Sequence, residues 1–344
     1  MTVSIASPLE FGGLTLKNRV LLASLTRDRN PATVPGELNI EYYRQRSTAG
    51  LILSEGILVE PLGTEWTYAP GIYSEKQIAG WKKVTDTVHV EGSLIFAQLW
   101  HVGRVSHPVL QAGQPNVGPS ARCEGWQIPP AHQAIEDPQR YIDLYRIAAQ
   151  NAKRAGFDGV EIHAANGYLP YQLLDKTANQ RTDKWGGSDE NRTRFAIEAV
   201  KGAIEGFSDA RRVGIKLSPS GGYNDVGDAE DVLIHTYSHL ITEIEELNIG
   251  YIQLVRWFAA FDPTTRGNPL DPIKHFRPLI KNAKVFLNGE LTGTEAAELV
   301  ALGQIDAAVF GRPFIANPDL PHRIIKNLPL ADINWGALYR PAGD

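Results

Sequence analysis

Gly159-Val160-Glu161-Ile162-His163-Ala164-Ala165-Asn166-Gly167-Tyr168 is the stretch on which the fold of this chain turns. Its first five residues form a short run with two β-branched members, and after His163 the pattern breaks into small and turn-forming residues. That predicts a strand that ends at a histidine and opens into a loop. Upstream, Asp137-Pro138 opens a helical segment that closes at Ala155-Gly156; downstream, Ser188-Asp189-Glu190 opens another that runs through Phe195, Ile197 and Val200 to Gly206. A strand framed by helices is a repeating unit of α/β architecture, and the same unit recurs along the chain. Comparable runs are Val20–Leu22, Leu51–Val59, Leu94–Leu99, Val213–Leu217, Tyr251–Val255, Lys284–Leu287 and Ala307–Phe310, eight with the first. Between them, Ser74-Glu75-Lys76-Gln77 reads as a capping box before a helix towards Val90, Ala229 to Leu247 is a long amphipathic helix, and Thr292 to Glu295 opens a short one ending at Gly303.

Eight alternations with no break in composition predict a single α/β unit, a (β/α)8 TIM barrel over residues 1–344. An open doubly wound sheet would carry G-x-G-x-x-G after an early strand, and this sequence has none there. Two connections are much longer than the usual few residues, about 101–136 after the third strand and 164–187 after the fourth. Long loops at the C-terminal ends of barrel strands are where such a fold builds its site.

Composition removes several classes of function. Thirty-four Lys+Arg against thirty-nine Asp+Glu give a net charge of -5 without a charged tail, which disfavours a nucleic-acid or anionic-membrane partner. One cysteine, Cys123, cannot close an internal disulfide or hold a cysteine-based metal cluster. Nine histidines are present, yet none forms a His-x-Glu-x-x-His or His-x-His group at a strand end, so no metal site is expected. The start lacks the basic and apolar regions of a signal peptide, and no mainly apolar stretch is long enough for a membrane span. The expectation is a soluble, cytoplasmic protein.

At the end of the fourth strand the barrel would bring the His163 imidazole, the Asn166 carboxamide and the Tyr168 phenol to one rim. Two hydrogen-bond donors and a weak acid suit one task, holding a carbonyl oxygen while a carbon is protonated. Taken alone, His-x-x-Asn reads more readily as a histidine satisfying backbone groups before an Asn-Gly turn. A glycoside hydrolase barrel would instead use two carboxylates at strand ends, for which Glu55 and Glu161 are placed, although Glu161 could equally pair with an arginine. A barrel that only binds is the remaining alternative.

The segment resembles the Old Yellow Enzyme family of flavin-dependent ene-reductases, and the resemblance runs along nearly the whole chain. Ser24-Leu25-Thr26-Arg27, Ser54-Glu55-Gly56, Phe96 to Trp100, His163 to Tyr168, Asn179-Gln180-Arg181-Thr182-Asp183, Gly186 to Arg192, Lys216 to Pro219, Asn288-Gly289 and Phe310 to Phe314 follow in the family's order. The resemblance implies non-covalent FMN at the C-terminal mouth of the barrel, with NADPH as reductant and a small activated alkene as substrate. It implies that Ser24, Leu25 and Thr26 form the flavin-contacting turn, the Thr26 hydroxyl meeting flavin O4. It implies a backbone contact at Gly56, an amide at Gln98 on the pyrimidine edge, and a phosphate cradle of Gly289, Glu290, Gly311 and Arg312. Tyr339 would lie near the dimethylbenzene edge, and Trp66 and Trp100 would line the substrate pocket. His163 and Asn166 would grip the substrate carbonyl, hydride would pass from flavin N5 to the β-carbon, and Tyr168 would protonate the α-carbon. His163 would also contact the flavin. Five positions depart from the family pattern. Lys216 stands where arginine is usual, which predicts a reduced flavin less well clamped. Glu290 stands where small or amide residues are usual, its carboxylate expected to point away. Trp66 replaces a tyrosine, and Pro170-Tyr171 replaces an aliphatic and polar pair. Both a monomer and a homodimer fit the sequence.

Overall fold

The computed structural model describes residues 3–121 and 132–339; Cys123 lies outside the described residues. Eight parallel strands close into a barrel in sequence order: β1 Val20–Leu22, β2 Ile52–Leu58, β3 Ile95–Trp100, β4 Gly159–Ala164, β5 Val213–Leu217, β6 Tyr251–Val255, β7 Lys284–Asn288 and β8 Ala307–Phe310. Every residue of β1 to β6 and of β8 is buried, because side chains on one face fill the barrel and those on the other meet the helices. Such strands read as continuous apolar runs, which is why all eight stand where the sequence predicts them.

The helices obey the same local signals. Helix α2, Glu75–Val90, is preceded by α1, Glu37–Gln45, and its Ser74 cap accepts from the Gln77 amide while the Gln77 side chain returns to the Ser74 N–H. Helix α3, Pro138–Arg154, is capped by Asp137 and packs against α5, Asp189–Phe207. A methyl group at Gly206 would sit 2.2 Å from the Arg146 carbonyl oxygen, so the approach of these two helices depends on a glycine there. Helix α4, Leu169–Leu174, follows β4 directly, and α6, Glu230–Glu245, follows β5. Short helices α7, Pro272–Phe276, α8, Gly293–Ala301, α9, Arg312–Ala316, and α10, Leu320–Lys326, complete the outer layer. Among the described residues no helix is long and apolar enough to cross a membrane, and no group of His, Cys, Asp and Glu could hold a metal ion.

A hairpin that the periodicity does not reveal closes the floor. Leu9–Phe11 pairs antiparallel with Leu14–Leu16 across Gly12 and Gly13, both at positive φ, as a two-residue hairpin turn requires. The Phe11 ring enters the barrel and stands 5.9, 6.1 and 6.0 Å from the rings of Phe96, Tyr251 and Phe286. These aromatics, with Leu21, Leu51, Leu53 and Val309, form an apolar lower core. The stretch predicted as one long loop after β3 is partly structured. It holds two 3-10 turns and a short parallel pair between Asn116–Gly118 and His132–Ala134.

Candidate active site

Above the apolar floor the barrel turns polar. Strand alternation places Gln98, Glu161, Lys216 and Gln253 among its buried side chains, with Gln98 beside Glu161 and Lys216 beside Gln253 in register. Gln98 accepts from the Ser24 hydroxyl at 2.6 Å and donates to Glu161 at 2.7 Å. The Tyr251 hydroxyl donates to the other Glu161 oxygen at 3.0 Å. Burial raises the Glu161 carboxyl, and the Lys216 ammonium opposes that rise. Burial also lowers the Lys216 ammonium, which Glu161 partly restores. Glu161 therefore pairs with an amide and a phenol and faces a lysine, rather than forming the arginine pair that its sequence position allows.

His163 lies next to Lys216 in register, 4% exposed. The Ala165 N–H donates to its Nδ1 at 3.4 Å, which leaves Nε2 as the nitrogen that carries hydrogen in the neutral ring. Burial, followed by the Lys216 charge, holds its pKa well below the usual histidine range, so the imidazole is neutral near pH 7. Asn166 and Gly167 then turn the chain through successive left-handed conformations, with φ of 58° and 70°. The turn is clamped from the loop after β5: the Asn166 N–H donates to Ser218 Oγ at 2.7 Å and its carbonyl accepts from Asn224 Nδ2 at 3.0 Å. Tyr168 stands at the start of α4 with its ring edge-on to His163 at 4.9 Å and to Trp100 at 5.2 Å. Its hydroxyl donates to Glu65 Oε1 at 2.8 Å. Burial and then the Glu65 charge hold the Tyr168 phenol well above its ordinary pKa of 10.0. The backbone thus brings His163, Tyr168 and Trp100 together, with the Asn166 turn between His163 and Tyr168.

Around this centre, Thr26 and Leu25 are half-buried in the loop after β1, and Gly311 approaches Leu25 from the end of β8. Gly56 is buried after an irregularity in β2, against Trp100. Trp66 meets Tyr339, ring centroids 5.0 Å apart, and Arg27 holds that end by donating to the Leu338 carbonyl at 3.2 Å. Gly289, at φ 120°, lies under Arg256, which donates to the Gly289 and Glu290 carbonyls and pairs with Glu295. The Glu290 carboxylate does not point away, as its position suggested; it pairs with Arg312, because opposite charges on adjoining loops are within reach. Glu55, the other carboxylate named for a hydrolase, is pinned away from any such pair. Its oxygens accept from the Arg27 N–H at 3.2 Å, Asn39 Nδ2 at 3.0 Å and Asn30 Nδ2 at 3.4 Å.

Three contributors escaped the sequence reading. Glu65 precedes Trp66 in a loop and gives no spacing signal. Arg256 has the same difficulty. Gln253 is legible only as a polar residue inside an apolar strand, a signal that a cofactor lies near. Its amide is wholly buried, and neither its nitrogen nor its oxygen finds a partner among the described residues. Buried amides are almost always satisfied, so this one fits a group that is polar on one edge. Together with Gln98, Lys216 and the glycines at 56, 289 and 311, it suits the pyrimidine edge and phosphate of FMN.

A barrel with a polar amide-and-ammonium layer below and a neutral imidazole beside a phenol above has the make-up of a flavin-dependent oxidoreductase. The family model described as "NADH:flavin oxidoreductase / NADH oxidase family" matches residues 4–331. The chain is 37% identical to the NADP-dependent oxidoreductase lnbE of Aspergillus flavus, over 99% of this chain and 94% of that protein. It is 34% identical to 12-oxophytodienoate reductase 2 of Arabidopsis thaliana, over 98% and 92% of the two chains. The solved Old Yellow Enzyme homologue from Zymomonas mobilis superposes with a TM-score of 0.92 at 34% identity, covering 99% of this chain and 98% of that one. The chain belongs to the NADH:flavin oxidoreductase / NADH oxidase family, the Old Yellow Enzyme group of FMN-dependent ene-reductases acting on activated C=C bonds, and it is an enzyme of that class.

Proposed function

We propose that this enzyme draws reducing equivalents from NADPH and saturates the C=C bond of small α,β-unsaturated carbonyl compounds, with His163 and Asn166 gripping the carbonyl oxygen and Tyr168 protonating the α-carbon. The observation that carries the reading is the hydrogen bond from the Ala165 N–H to His163 Nδ1. A neutral ring whose Nδ1 accepts from Ala165 presents Nε2–H as a donor, beside the Asn166 turn and within one ring contact of Tyr168. Donors fixed by the fold bind an oxygen more strongly as negative charge grows on it, which lowers the barrier rather than merely holding substrate. A neutral imidazole is the better choice than an imidazolium here, since it needs no desolvated charge in the resting site.

Ser24, Leu25, Thr26, Gly56, Gln98, His163, Lys216, Gly289, Glu290, Gly311, Arg312 and Tyr339 are the residues proposed to hold FMN, with Gln253 added on the strength of its unpartnered amide. When bound, FMN supplies the two-electron chemistry that links nicotinamide oxidation to alkene reduction. Lys216 would offer its ammonium to the pyrimidine edge, Trp66 and Trp100 would wall the substrate side, and Tyr168 keeps its proton at neutral pH because its phenol is held well above 10.0. NADPH is proposed over NADH because the lnbE relative is named as NADP-dependent. The single cysteine and the net charge of -5 support a cytoplasmic protein without a nucleic-acid or membrane partner, and it is proposed to act as a monomer or homodimer.

A yellow preparation that absorbs in the blue and oxidises NADPH only when cyclohexenone or maleimide is added is the expected result. Product made in D2O should carry deuterium at the α-carbon. A yellow protein that turns over no activated alkene with either nicotinamide would refute the reductase reading.

A further inference from the structure

Glu65 has no place in the chemistry above, yet it touches the group proposed to deliver the proton. Its Oε1 accepts the Tyr168 hydroxyl at 2.8 Å across 103 residues of sequence. The groups that face it are Tyr168 at the start of α4, the Trp66 side chain on its own loop, and Tyr223 from the loop after β5, behind which stands Tyr339. Asn224, beside Tyr223, donates its amide to the Asn166 carbonyl and also lies near the Tyr168 hydroxyl. None of the groups acting on Glu65 is a cation.

A phenol has one proton. While Glu65 is ionised it can only accept, so that proton is committed to the carboxylate and the phenol oxygen offers the substrate lone pairs alone. Once Glu65 is protonated, its own O–H can donate to the phenol oxygen, and the phenol proton is free to point at the α-carbon. We propose that Glu65 is the positioning residue that decides where the Tyr168 proton points and that returns a proton to Tyr168 after each turnover. The inference rests on Tyr168 being the proton donor.

The transfer balances. The Tyr168 O–H bond breaks as the electron pair of the enolate forms the new C–H bond at the α-carbon. The phenolate oxygen takes the carboxyl proton of Glu65, and the carboxylate takes one from solvent water, so each turnover consumes one solvent proton. The surroundings favour this sequence. Burial raises the Glu65 carboxyl above its ordinary value, which extends the protonated form upward in pH, and a phenolate next to an ionised carboxylate would place two like charges side by side. The active form is the protonated one, so product formation should be full below the Glu65 pKa and fall as the pH rises through it.

The test uses reduced holoenzyme mixed rapidly with cyclohexenone between about pH 5 and about pH 9, with chemical quench of the saturated product. Wild-type product formation should fall by about tenfold per pH unit on the alkaline side. Glu65→Gln, whose amide N–H can donate permanently, should lose that slope and keep its rate at high pH; Glu65→Leu should lose the slope as well. The infrared difference between ligand-free wild-type protein and Glu65→Gln should hold a protonated-carboxyl band that fades as the pH rises, over and above the band that Glu55 gives to both proteins. A flat wild-type profile, or an unchanged slope in both variants, overturns the role of Glu65. Tyr168→Phe separates the two claims. If it forms product at the wild-type rate, Tyr168 is not the donor and both claims fall; if it is slow while the Glu65 variants keep the wild-type slope, only the Glu65 claim falls.

Discussion

A single methyl group at Gly56 should disturb the site through its wall. The alanine methyl would lie 2.7 Å from Cε3 and 2.8 Å from Cδ2 of Trp100, where ordinary contact begins at 3.4 Å. The indole must therefore retreat by about 0.7 Å, the shortfall between those distances. It has little room, being 1% exposed and packed with Leu58, Ala69 and Val102. Among its neighbours is Tyr168, whose ring is 5.2 Å away and itself 4.9 Å from His163. Overpacking of this kind costs about 1–3 kcal/mol of stability. A displacement approaching 1 Å at a reacting group costs up to about 100-fold in rate, so Gly56→Ala should lose roughly ten- to a hundredfold in kcat/KM. Urea denaturation, flavin content by absorbance and steady-state kinetics with cyclohexenone measure the three consequences separately. A variant that is destabilised but keeps its flavin and its full kcat/KM would refute the claim that Trp100 transmits the strain to Tyr168 and His163.

Asn166 sits at φ 58°, so Asn166→Ala should lose about 1–2 kcal/mol of stability in addition to its donor, whereas Asn166→Gly should keep the turn and lose only the donor. Both should cut kcat by about 100-fold, and a stable Asn166→Gly enzyme of normal kcat would remove the carboxamide from the carbonyl grip. Lys216→Arg should raise the flavin reduction potential by about 30 mV, equivalent to about 1.4 kcal/mol of added charge-assisted bonding; equal potentials in a dye titration count against the clamp. Burial, opposed by bonds from Arg27, Asn30 and Asn39, pushes the Glu55 carboxyl from 4.5 to about 7. Between those values the folded protein binds more protons than the unfolded chain, so stability falls as the pH rises through the window and the loss is complete above about 7. The loss should approach about 3 kcal/mol relative to Glu55→Gln, and a stability difference that stays constant from pH 4 to pH 8 would contradict it.

The barrel was readable because its strands are mostly buried on both faces and several of its helices carry side-chain caps, as at Ser74, Asp137, Ser188 and Thr292. The floor hairpin was not, since its two strands of three residues lie outside the alternation of strand and helix that marks the barrel. Helix α4 was missed for a related reason: all six of its residues are buried, so it has no polar face to reveal a helical period. Within the site, residues at strand ends were visible from register alone. Glu65 and Arg256 were not, because their partners are brought to them by loops whose paths no local pattern encodes. Whether Glu290 would meet Arg312 depended on two loops that follow different strands.

The Phe11 plug has a consequence for traffic. Sealed at its base by packed aromatic rings, the barrel is a blind well, and everything that visits its polar layer must arrive and depart by the same rim. Reductant and alkene then queue for one doorway, and an excess of either delays the other even when neither binds more tightly than it should.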